Sequence, residues 1–155
     1  MKTTINIHFK QNVLQHCKYI LEQRIATAKV AMHAAQEAAN SEDKSSAGDK
    51  YETSRAMGQL ARDMNAKQLA EAQSELNILF KINFDVKSDR VIQGSIIHTA
   101  NEIYFIAAGI GNLEIDKQKV IVLSPKSPLA IALTGKKAGD EILFNTKKIV
   151  IKNIF

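Results

Sequence analysis

Apolar positions in the first half of the chain step with a helical rhythm. Leu14, Cys17, Leu21, Ile25, Ala28, Met32, Ala35 and Ala39 recur at intervals of three and four, which lays one stripe along a single helix face. Met57, Leu60, Met64, Ala72, Leu76 and Leu79 repeat the rhythm, with a slip around Gln68 and Leu69. The segment between the two stripes, Asn40 to Asp49, is polar and rich in turn formers. This pattern predicts two long helices folded back as an antiparallel helical hairpin, a coiled coil in miniature. At 1.5 Å per residue a helix from Glu52 to Phe80 would run roughly 40 Å. The hairpin is therefore expected to project as a rod with its turn as the exposed tip. Beyond residue 80 the apolar runs shorten and turn signals bound them. They predict strands over 91–92, 95–98, 103–107, 120–123, 141–144 and 149–154, with a short helix over 128–135 opened by Pro128 and closed by Gly135.

Composition sharpens this division. Residues 1–80 hold thirteen Ala and seven Ile plus Val, whereas residues 81–155 hold six Ala and nineteen Ile plus Val. Ala favours helix and β-branched side chains favour a pleated surface. The expected fold is a helical hairpin over 1–80 followed by a small α+β domain over 81–155. The longest apolar run, Ile103 to Ile110, is far too short to span a bilayer, and the first ten residues lack an apolar signal core. A cytoplasmic protein is expected. One cysteine, Cys17, excludes an internal disulfide framework and a Cys-rich zinc site. The net charge of +5 is dispersed over both halves, without the concentrated basic stripe of a duplex-DNA reader. No sequence-specific DNA binding is expected.

Most chemistry-bearing residues have a plain structural explanation. His33 and Glu37 make a helical i, i+4 pair with no third ligand close in sequence, an ordinary exposed arrangement. Cys17 sits on the apolar stripe, as a core thiol does. Ala107-Ala-Gly-Ile-Gly111 lacks the third glycine and the following helix of a phosphate cradle. The turn between the helices is different. Glu42, Asp43, Asp49 and Glu52 crowd into eleven residues, and Asp49 and Glu52 are spaced i, i+3 at a helix start. Two carboxylates there can hold a hard divalent cation such as Mg²⁺, weakly, until a partner supplies further ligands. The same pair also fits a capping arrangement that stabilises the helix start.

The tip Gly48-Asp-Lys-Tyr-Glu52, the segment Ser124-Pro-Lys-Ser-Pro-Leu-Ala130 with Leu133, and Gly135-Lys-Lys-Ala-Gly-Asp-Glu141 occur in an order that resembles the bacterial Gre family of transcript-cleavage factors. Gly94-Ser95, Tyr104-Phe-Ile106 and Ile149 to Ile154 fall in the family's order as well. The resemblance covers nearly the whole chain. It implies an FKBP-like fold for residues 81–155 and a transcription elongation factor whose partner is RNA polymerase. Gre factors insert their hairpin into the secondary channel of the polymerase, and their tip acids help its active site hold a second Mg²⁺ that activates water to cut backtracked RNA. By position Asp49 and Glu52 are those acids. The protein would then be no enzyme by itself, would bind Mg²⁺ only within the complex, and would touch nascent RNA only indirectly.

The chain departs from the family at Tyr51, where a small polar residue is usual, and at Arg55-Ala56, where an acidic and aromatic pair is usual. The acidic segment after the central strand is reduced to Glu114 and Asp116. The alternative implied by these departures is a polymerase regulator that occupies the channel without stimulating cleavage. A third possibility, a peptidyl-prolyl isomerase, rests on the FKBP-like fold alone. Phe84, Tyr104, Phe105, Phe144 and Phe155 fall at strand-like positions that usually serve a core.

Overall fold

The computed structural model describes residues 5–42, 48–83 and 88–155, with the backbone alone for residues 39, 41, 42 and 48–51. Two long helices, α1 (Ile7–Glu42) and α2 (Gly48–Phe80), precede a mixed sheet. Asn6 starts α1: its side-chain oxygen accepts from the Phe9 N–H at 3.0 Å, satisfying one of the free donors of the first turn. Along α1 the expected stripe is the packed one. Leu14, Cys17, Leu21 and Ala28 are buried, and Ile25, Met32 and Ala35 are half-buried.

Along α2 the expected stripe holds only at its C-terminal end. Ala72 and Leu79 are buried, but Met57, Leu60 and Met64 are 65, 59 and 58% exposed. Stepping back from Leu79 by threes and fours leads through Leu76, Ala72 and Leu69 to Asn65, and a seven-residue step from there reaches Gly58 and then Ser54; all of these are half-buried or buried. Met57 and Met64 stand one residue out of that series, and one residue is about 100° of rotation. The slip at Gln68 and Leu69 therefore marks two different faces of one helix. Small or polar residues line the inner face where the methionines were expected. Across the hairpin, Arg62 Nη1 donates to Gln36 Oε1 at 3.0 Å.

The chain forms two compact units, one of Ile20–Ser74 and one of Met1–Tyr19 with Glu75–Phe155. The second unit contains the sheet, ordered β3-β4-β2-β1-β6-β5, from β1 (Ile96–Thr99), β2 (Ile103–Ile106), β3 (Gly111–Ile115), β4 (Gln118–Leu123), β5 (Glu141–Phe144) and β6 (Lys147–Ile154). All neighbours are antiparallel except β2 and β4. One face carries Ile97, Tyr104, Ile106 and Ile151, packed with Ala130 and Leu133 of the short helix α3 (Pro128–Leu133). The alternate residues Ile96, Phe105, Val120 and Val122 are buried on the opposite face, and Phe9, Val13 and Leu79, from the helix ends in this unit, are buried as well. Lys10 Nζ donates to the Phe155 carbonyl at 3.1 Å, and the Gly109 N–H to Glu75 Oε1 at 3.2 Å.

Two strand expectations change. β3 was not expected, since Gly111, Asn112 and Glu114 are poor strand formers. It forms because Asp116 and Lys117, at φ of 51° and 63°, close a two-residue hairpin onto β4. Val91–Ile92 is not a strand: the segment makes only a bridge between Arg90 and Lys137, with the turn at Gln93-Gly94 cutting it short. The helix over 128–135 closes earlier, with Thr134 as its C-cap.

Candidate functional site

The acids at the hairpin turn divide by what is described. Asp43 lies outside the described residues. Glu42, Asp49 and Tyr51 lie in the helices by their backbone, while their side chains are outside the description. Glu52 is described and exposed. Because α2 runs unbroken from Gly48, residues 49 and 52 sit in its first turn and a half, about 60° apart around the axis. A groove of about 380 Å³ begins at Glu52 and continues along Thr53, Ala56, Met57 and Leu60. Carboxylate oxygens are the donors a hard cation prefers, so the residue types at 49 and 52 suit Mg²⁺. Among the described residues no group of three or more His, Cys, Asp or Glu gathers to hold a metal.

The other sequence candidates fall into structural roles. His33 Nε2 lies 3.2 Å from Glu37 Oε1, both well exposed on α1. Cys17 is fully buried, and burial pushes its thiol up to about 12, so it carries almost no thiolate at neutral pH. Ala107 and Ala108 are buried, and the segment after them turns directly into β3. Tyr104 and Phe105 are core residues on opposite faces of β2. Phe144 packs against the α3 side of the sheet, Phe155 is partly exposed at the sheet's end, and Phe84 lies outside the described residues.

The motifs flanking α3 are hydrogen-bonded turns. Ser127 caps α3 by accepting from the Ala130 N–H at 3.3 Å, and its hydroxyl donates to the Ser124 carbonyl at 2.8 Å. In the following segment Asp140 Oδ2 accepts from the Lys137 N–H at 2.8 Å, while Gly139, at φ +93°, donates its N–H to the Ile151 carbonyl. Lys136 and Lys137 are exposed beside it.

One polar cluster had no sequence signal. The Tyr104 hydroxyl donates to Glu102 Oε2, and Lys147 Nζ donates to Glu102 Oε1 at 3.2 Å. The Tyr104 hydrogen bond, with lesser help from the nearby lysines, holds the Glu102 carboxyl below its usual range against the opposing effect of burial, and burial pushes the Tyr104 phenol up. The cluster ties the β1–β2 turn to the start of β6. No helix among the described residues is long and apolar enough to cross a membrane. Comparison of the chain with known protein families and with curated proteins finds no match in either.

Proposed function

We propose that this protein is a Gre-like regulator of bacterial RNA polymerase, entering the secondary channel with its hairpin and presenting Asp49 and Glu52 to the polymerase active site. The observation that carries this reading is the placement of both acids in the first turns of one unbroken helix at the hairpin turn, ahead of an α+β domain in the same chain. The motif order of residues 124–141 supports it. Mg²⁺ bound there would supply electrostatic stabilisation of the oxygens in an in-line displacement on RNA. The chain's own part is to bring two carboxylates on a rigid helix to a site that lacks them, and to leave when the RNA end is restored. Isolated from polymerase, the protein cleaves nothing.

A second reading, channel occupancy without cleavage, is favoured by the apolar row of Met57, Leu60 and Met64 beyond Glu52, a surface for contact rather than chemistry. Cleavage in purified backtracked complexes separates the two. Under the first reading wild type stimulates cleavage, and Asp49→Ala with Glu52→Ala abolishes the stimulation while polymerase binding persists. Binding without stimulation supports the second, and absence of binding removes both.

A further inference from the structure

A recess of about 210 Å³ lies away from the hairpin turn, within the unit of Met1–Tyr19 and Glu75–Phe155. It sits where the first turn of α1, the end of α2 and the Gln93-Gly94 turn before β1 converge. Lys10 forms its inner wall. At 8% exposure, Lys10 is one of three buried polar residues among those described, and the other two, Ser95 and Thr99, are uncharged. Its ammonium carries three donors and gives one to the Phe155 carbonyl at 3.1 Å. Burial draws its pKa below the usual lysine value, because a cation loses hydration there.

The groups around Lys10 are mostly donors. Lys81, Asn83 and Gln93 stand exposed at the mouth. The hydroxyl oxygens of Ser95 and Ser88 accept from the Ile92 and Arg90 N–H groups at 3.0 and 3.2 Å, so each hydroxyl keeps its own O–H to donate. No Asp or Glu is among the described residues that line the recess. Two ammonium groups on one concave wall make its potential positive, and the low-dielectric protein around them focuses that potential.

We propose that this recess binds a phosphate group, carried by inorganic phosphate or by a small phosphate monoester. Two positive charges match a dianion, and the hydroxyl and amide donors match its several oxygens. A carboxylate offers the same set one charge and two oxygens. Lys10 supplies charge from the inside, where water competes least, and Lys81 meets the anion from the mouth. Ile82, Ile92 and Phe155 line the remaining wall, an apolar surface for the organic part of an ester. The site is independent of the tip acids and of any role with polymerase.

Backbone amide chemical shifts of the nitrogen-15-labelled full chain test the proposal. The chain is titrated with sodium phosphate, with glycerol 3-phosphate and with sodium chloride at matched ionic strength. Phosphate should move the Gln93, Gly94 and Ser95 amides along saturable curves with a Kd of roughly 0.1–1 mM, and chloride should not. Glycerol 3-phosphate binding several-fold tighter than phosphate identifies an ester as the ligand, and equal or weaker binding identifies the free anion. Lys81→Ala removes an exposed side chain without touching the core, and should weaken binding at least about fivefold through loss of a charge-assisted contact. Lys126→Ala, which alters a lysine outside the recess, should leave the curves unchanged. Shifts that chloride reproduces, curves that do not saturate by about 10 mM phosphate, or an unchanged Kd in Lys81→Ala would each overturn the proposal.

Discussion

Leu60 and Leu79 are leucines of the same helix, yet Leu79 is fully buried and Leu60 is 59% exposed. Truncating each to alanine measures the rotation of α2 directly. For Leu79 the deletion removes a core side chain and leaves a cavity, which costs about 3 kcal/mol within the usual range for buried leucines. Leu60 keeps only about two-fifths of its surface from water, so the transfer loss is at most about 1 kcal/mol, and alanine's better helix propensity offsets part of it. The net expectation is about 0.5 kcal/mol. For a chain of this size 1 kcal/mol moves Tm by about 2–4 °C. Leu79→Ala should then melt about 6–12 °C below wild type, and Leu60→Ala within about 2 °C of it. The assay is thermal unfolding followed at the helical band. Equal losses in the two variants would refute the packing: α2 would have to be turned so that Met57, Leu60 and Met64 face α1.

Two further outcomes follow from local geometry. Gly94 sits at φ +93°, and a Cβ there would meet Ile82 Cγ2 at 3.0 Å, whereas Gly111 sits at φ +89° with open space around it. Gly94→Ala should therefore cost more than Gly111→Ala in urea unfolding, with backbone strain of roughly 1–3 kcal/mol common to both; equal costs would mean the Ile82 contact yields freely. Cys17 should resist thiol reagents in the folded protein at pH 8 and react at the rate of a free thiol in urea, because only roughly one molecule in 10⁴ carries the thiolate at a pKa of about 12. Linkage gives the sign for stability. Between the unfolded thiol's value and about 12 the unfolded state has lost a proton that the folded state keeps, so stability falls as pH rises through that window. Rapid labelling under native conditions would contradict the burial.

Much of the fold was legible because periodicity reports burial. The α1 stripe from Leu14 to Ala35 packs as its spacing indicates, and most strands fall within one or two residues of their apolar runs. Where periodicity and packing part, the cause is local. In α2 the larger side chains, Met57, Leu60 and Met64, outweigh Ser54, Gly58 and Asn65 on any hydrophobic scale, and only continuity back from Leu79 shows which set faces inward. β3 is specified less by its own residues than by the Asp116-Lys117 hairpin and by Leu113 and Ile115 alternating with Asn112 and Glu114. The cluster of Glu102, Tyr104 and Lys147 joins residues far apart in sequence through sheet register, which no local pattern encodes. The tip is the reverse case: spacing singled out residues 49 and 52, and the fold adds that one helix carries both.

The Mg²⁺ dependence of RNA cleavage in a backtracked polymerase complex tests the proposed role of the tip most directly. With wild-type protein, half-maximal cleavage should be reached at a lower Mg²⁺ concentration than with polymerase alone, and Glu52→Ala should return the curve to that of polymerase alone. Superimposable Mg²⁺ curves with and without the protein, in complexes shown to have bound it, would contradict a role for these acids in holding the metal.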